Sequence, residues 1–191
     1  MIELNLTRTV LRWDFSFFAV LALFFSLDSS GFGLTALGIC AAHELAHLAV
    51  MLLCGIVPES VTFYGAGIRI TSTETERRSP TEQAAVYGAG CAMNFLLAAA
   101  LLAAGKSCSA AMSLSCGLFN LLPLGEFDGR RLLKLALIII LPPERVDVTL
   151  RICAVCSAAL AVGVLFIAGG KASPTLVITS AYLLLMAVRN W

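Results

Sequence analysis

Charge is scarce in this sequence. Asp, Glu, Lys and Arg make up 13% of its 191 residues, whereas a soluble domain carries about 25%. So few charged groups could not cover the surface of a soluble chain this long. The hydrophobic share is high to match, at 59%, against about 45–50% in soluble domains. The net charge is +1, with no basic run and no aromatic–basic stripe, so nothing points to a nucleic-acid partner. Histidine is scarcer still, with 2 in the whole chain. The 7 cysteines are an odd number scattered through apolar segments, which argues against a secreted disulfide framework. They read as small apolar side chains within helices. Cys153-x-x-Cys156 has redox spacing but lies in an apolar run without a strand–helix–strand context, and it too reads as packing.

What the sequence does have is apolar runs, at 15–27, 34–54, 84–104, 110–122, 132–141, 152–168 and 176–188. A membrane-spanning helix needs about 20 apolar residues, with a range of about 17–25. The runs at 34–54, 84–104, 152–168 and 176–188 meet or approach that length. The pattern predicts an all-α polytopic membrane protein with about six transmembrane helices. The first run follows Arg8 and Arg12 and precedes Asp28-Ser29-Ser30-Gly31. That is a poor signal-peptidase site, so a retained first helix is expected. Residues 108–141 are too long for one straight helix. They would run about 50 Å, against a hydrocarbon core of about 30 Å. Pro123 and Gly125 lie in the middle, followed by Glu126, Asp128 and Gly129. The expectation is a helix, a break and a second helix. Irregular backbone at membrane depth is tolerated only where protein or a water-filled cavity satisfies it. The break is therefore a candidate site.

The polar region runs from 58 to 81. Val61-Thr62-Phe63-Tyr64 and Ile68-Arg69-Ile70-Thr71 flank Gly65-Ala66-Gly67, which predicts a small β-hairpin. Ser79, with Glu82 three residues on, predicts the cap of the following helix. Basic residues set a topology. With a cytosolic N-terminus, the cytosolic segments hold Arg8, Arg12, Arg69, Arg77, Arg78, Arg145, Arg151 and Arg189, and the far side only Lys106 and Lys171. That asymmetry predicts six crossings, both termini cytosolic and a cytosolic hairpin. The chain is expected to form a single domain over 1–191, with a catalytic core at about 34–141 and peripheral helices at 10–28 and 148–189.

The chemistry centres on His43-Glu44-Leu45-Ala46-His47, an H-E-x-x-H motif. Histidines four apart share one helix face and can ligate one ion, with Glu44 beside them as general base. They are also the 2 histidines the chain possesses. His43 lies about 14 Å along the helix from Leu34 and about 18 Å from Gly55, near mid-membrane. A carboxylate at that depth costs several kcal/mol, so Glu44 is expected to be functional. Catalytic zinc sites usually have three protein ligands plus a water. The candidates for the third are Asp128, Glu126 and Cys40. Asp128 is preferred because Gly129 follows it and because it completes a His-His-carboxylate set.

These residues carry a resemblance. The H-E-x-x-H motif, together with Asn120-Leu121-Leu122-Pro123 and then Asp128-Gly129, resembles the site-2 protease family of intramembrane metalloproteases. Gly88-Ala89-Gly90-Cys91-Ala92-Met93-Asn94 is similar to that family's G-x-x-x-N stretch. The resemblance spans 34–141. It implies zinc on His43, His47 and Asp128, Glu44 as catalytic acid/base, and Asn120 and Asn94 in contact with substrate. Ala46 and Arg130 stand where the family often has Gly, and neither position supplies a ligand. The short chain and the hairpin look most similar to the sporulation branch (stage IV sporulation protein FB), whose substrate is the pro-sequence of a sigma factor.

The function expected is intramembrane zinc endopeptidase in a bacterial cell membrane, acting on a membrane-associated protein. A separate membrane regulator is expected, because no regulatory domain is visible. The hairpin could offer a strand edge to an unwound substrate. A divalent metal-ion transporter using the same His/His/Asp cluster is the alternative, and a catalytically dead membrane adaptor a third. Glu44 separates them, since transport needs ligands but no base beside the metal.

Overall fold

The computed structural model describes residues 1–6, 8–28, 31–65, 67–168 and 181. Strands β1 (Ile2–Asn5) and β2 (Val10–Trp13) precede helices α1 (Phe15–Leu27) and α2 (Phe32–Leu53). Strands β3 (Ser60–Tyr64) and β4 (Gly67–Thr71) follow, then α3 (Thr73–Glu76), α4 (Pro80–Ala103), α5 (Ser107–Asn120), α6 (Asp128–Ile140) and α7 (Pro143–Ala168). The chain divides into two units, Met1–Gly117 and Leu118–Trp191.

In the first unit the expected hairpin is present, with Val61 opposite Ile70 and Phe63 opposite Ile68. It is part of a larger sheet of order β1-β2-β3-β4. Strand β2 runs parallel to β3, with Leu11 opposite Val61 and Trp13 opposite Phe63. Residues 10–13, expected to begin the first peripheral helix, are therefore strand, and the helix starts at Phe15. The reason is tertiary. Four residues show too little periodicity to declare a strand on their own. Here the partner strand decides: the Val10 N–H donates to the Glu59 carbonyl and the Asp14 N–H to the Phe63 carbonyl, each at 2.9 Å. The Trp13 and Phe63 rings stack at 5.4 Å. Parallel strands need a crossover connection, and α1 with α2 provides it. Just before β3, Glu59 accepts from the hydroxyl and the backbone N–H of Thr73, which holds its carboxyl below the usual carboxylate range.

Helices α2 and α4, of 22 and 24 residues, are long and apolar enough to cross a membrane. Helix α4 opens on the expected capping box. The Glu82 N–H donates to Ser79 Oγ at 3.3 Å, and the Ser79 N–H donates to Glu82 Oε2 at 3.1 Å. The two helices pack against each other, burying Ala46, Cys91 and Ala98. Such small residues let backbones approach in a bilayer, where lipid offers no hydrophobic drive to helix association. Met51, Ile56 and Val86 form a buried cluster with Ile70 packed against it, joining the sheet to the helix pair.

Helices α1, α5 and α6 have 13, 14 and 13 residues, short of the about 17–25 that span a bilayer unaided. The last expected run, 176–188, lies outside the described residues, as does the end of the peripheral segment 148–189.

In the second unit the predicted break is real. Helix α5 ends at Asn120 and α6 begins at Asp128. Leu124 anchors the segment between them: it is fully buried with Ala154 and Ala158 of α7, and Phe119, Leu122 and Phe127 pack around it. The Phe119 and Phe127 rings lie 5.0 Å apart. An irregular segment is thus held by an apolar side chain seated on a helix.

Candidate metal centre

His43, His47 and Asp128 each sit on a helix. His43 and His47 lie within α2 and are buried; His43 is about 15–17 Å from either end of the helix by helical rise, and His47 is about one turn further on. Their Nε2 atoms lie 3.1 Å apart. Two imidazoles on one tetrahedral zinc place their nitrogens about 3.3 Å apart, given bonds of about 2.0–2.1 Å. The pair therefore needs little adjustment to share an ion.

Helix α4 sets the histidines from one face. Val86, Gly90 and Asn94 recur every four residues and so form one stripe. At one end the Val86 carbonyl lies 2.7 Å from His47 Nδ1. A carbonyl can only accept, so Nδ1 carries the proton and Nε2 keeps its lone pair for a metal. At the other end Asn94 Nδ2 lies 3.1 Å from His43 Nδ1. Asn94 is fully buried, and the Ser113 hydroxyl donates to its backbone carbonyl at 2.9 Å. Between them, Gly90 faces both rings. A Cβ built there would lie 2.3 Å from His47 Nε2 and 2.5 Å from His43 Nε2. The absent side chain leaves a cradle in which the two nitrogens converge. In the sequence Gly90 stands inside the longer Gly88–Asn94 motif with no role of its own. Its signal is the spacing, one turn before Asn94.

Asp128 is the first residue of α6 and is buried. A carboxylate in the first turn is favoured by the helix dipole. Gly129 makes this start possible, since a Cβ there would lie 2.0 Å from the Leu121 carbonyl oxygen. Gly129→Ala is expected to cost about 1–3 kcal/mol, the usual range for overpacking. Thermal unfolding in detergent checks it, and an unchanged midpoint would show that the backbone contact is dispensable.

His43, His47 and Asp128 form one buried group, with a ligand atom from each within 4.8 Å of the others. Two imidazoles and a carboxylate are a donor set used by catalytic zinc, so the residues fit the ion. The alternative third ligands lie outside that group, and both Cys40 and Glu126 are exposed. Glu44 is half-buried beside the pair, and Asn120 closes α5, also half-buried.

No protein-family model and no curated protein sequence matches the chain. Among solved structures it is similar to the site-2 protease from Methanocaldococcus jannaschii, with a TM-score of 0.65 and 19% sequence identity. The match covers 99% of this chain and 94% of that one. At that identity the likeness is one of fold.

Proposed function

We propose that this chain is an intramembrane zinc endopeptidase that cuts a membrane-associated protein. The observation that carries the reading is the buried His43, His47 and Asp128 group, with its two histidines at the centre of a long apolar helix. The fold likeness to a site-2 protease supports it across nearly the whole chain. Leu34, Leu45, Leu53, Leu96 and Leu102 on α2 and α4 are exposed. A soluble core helix would hide such a surface, whereas lipid would cover it. The pairing of residues 10–13 with 60–63 supports a topology with the N-terminus and the hairpin on one side of the membrane.

In this reading His43, His47 and Asp128 hold the ion. Zinc, when bound, supplies Lewis acidity that lowers the pKa of water to about 7. Glu44 would accept a proton from the attacking water and later return it to the leaving amine. Asn120, at the end of α5, orients the substrate backbone. The substrate class implied by the sporulation-branch resemblance is a regulatory pro-sequence, and a separate membrane protein regulates the enzyme.

The test uses the purified chain in detergent micelles with single-span peptide reporters. Cleavage is expected to stop on addition of a zinc chelator and to return with zinc. Asp128→Asn is expected to lose zinc at chelator concentrations that wild type, Cys40→Ala and Glu126→Gln withstand. Cleavage that ignores the chelator would overturn the reading.

A further inference from the structure

One arrangement of protons satisfies the chain of contacts from Asn94 through the two histidines to Val86, and in it one ring has its metal-facing nitrogen protonated. His47 Nδ1 donates to the Val86 carbonyl, so its Nε2 is bare and accepts. Its neighbour at 3.1 Å is His43 Nε2, and a proton on that nitrogen would satisfy the contact. His43 Nδ1 is bare in turn and accepts from the Asn94 Nδ2 amide at 3.1 Å. Every contact in the chain Asn94–His43–His47–Val86 has one donor and one acceptor. Yet a protonated Nε2 has no lone pair to give. For His43 to ligate an ion through Nε2, its proton must move to Nδ1, and Nδ1–H then needs an acceptor.

Asn94 can supply one. Its Oδ1 is buried and has no hydrogen-bond partner among the described residues. A half-turn of the carboxamide exchanges Oδ1 and Nδ2 in the same volume, bringing Oδ1 against Nδ1–H. Each orientation leaves one amide atom unmatched, and such a buried orphan costs about 1–3 kcal/mol in either case. The two orientations are therefore close in energy, and the tautomer of His43 decides between them. A carboxylate in this position could only accept. A lysine or arginine could only donate.

We propose that Asn94 is a positioning residue that sets the tautomer of His43, donating through Nδ2 to a bare Nδ1 and accepting through Oδ1 from a protonated one. The role differs from the substrate contact that resemblance implies, and it rests on the reading of His43, His47 and Asp128 as metal ligands. It also pairs the two ends of the α4 stripe. Val86 holds His47 permanently in the metal-binding tautomer with a backbone carbonyl, which cannot turn over. Asn94 holds His43 with a side chain, which can.

The experiment measures zinc affinity and ring tautomer in the full chain in detergent. With 2 histidines in the sequence, histidine-selective nitrogen labelling yields two rings to assign by NMR. In the zinc-loaded wild type, His43 is expected to be protonated at Nδ1 and to bind through Nε2. Ligation through Nδ1 would overturn the proposal without any variant being made. Asn94→Ala and Asn94→Leu are expected to bind zinc about 10–100-fold more weakly, the usual effect of losing a group that orients a ligand. Asn94→Asp, an acceptor only, is expected to bind as tightly as wild type or tighter. Wild-type affinity in Asn94→Ala, or Asn94→Asp binding as weakly as Asn94→Ala, would overturn the proposal. His43→Ala and His47→Ala separate the two layers. If neither changes zinc binding, the metal-site reading itself fails. If both lose zinc while Asn94→Ala does not, only the role of Asn94 fails.

Discussion

Glu44→Gln is expected to lower cleavage of a peptide reporter by about 10²–10⁴-fold, the usual contribution of a positioned general base, while zinc content stays at the wild-type level. The side chain keeps its volume and loses only the ability to accept and return a proton. The three potential ligands are His43, His47 and Asp128, so the substitution removes none of them. Glu44 is half-buried, unlike its buried neighbour His43, as suits a base that must meet water and substrate at the edge of the site. The same measurement separates protease from transporter, because ion transit through His43, His47 and Asp128 needs no base at position 44. A variant that retains zinc and cleaves at the wild-type rate would remove the case for proteolysis. Reduced zinc would instead make Glu44 part of the ligand shell.

Gly90→Ala is expected to abolish zinc binding, and cleavage with it, while leaving the helices intact. Within a helix, alanine is about 1 kcal/mol more favourable than glycine, so α4 itself loses nothing. The damage is local. The new carbon would lie 2.3 Å from His47 Nε2 and 2.5 Å from His43 Nε2. Those distances approach the bonds of about 2.0–2.1 Å that a zinc ion makes to imidazole nitrogen. The methyl would take the space in which the ion must sit. The rings could relieve the contact only by swinging away, and that breaks the 3.1 Å approach of their two nitrogens. Gly90→Val should act in the same way with more strain. Metal analysis and thermal unfolding on the same sample make the check. A full complement of zinc in Gly90→Ala would show that the cradle is wider than the geometry implies.

Much of this site was legible in the sequence, for particular reasons. His43 and His47 could be paired because helical periodicity puts residues four apart on one face. The break could be placed because Pro123 and Gly125 interrupt a run too long for one straight helix, and Asp128 could be preferred there because Gly129 follows it and it completes a His-His-carboxylate set. The hairpin and the Ser79 cap were legible because turn and cap chemistry are local. Strands β1 and β2 were not. Each has four residues; β2 takes its strand character from pairing with β3, 50 residues away in register, and β1 from pairing with β2. Apolar runs and charge asymmetry led to an expectation of six crossings, but runs do not give helix lengths, and among the described residues α2 and α4 are the helices long and apolar enough to cross a membrane. Helix α5 stops at Asn120 because Leu124 draws the following segment onto α7.

The division between the two kinds of information is clearest at the metal centre, where the sequence by itself determined the donor types, their order and the depth of His43 and His47 in an apolar helix. It could not say which nitrogens of the two imidazoles converge, because that depends on what approaches the far side of each ring. Only the packing of α4 against α2 decided it. That packing brings the Val86 carbonyl to His47, the Asn94 amide to His43 and the bare Gly90 backbone between them. The physical reason is that a tautomer is chosen by a hydrogen-bond partner, and these partners lie 39 and 51 residues away in the chain.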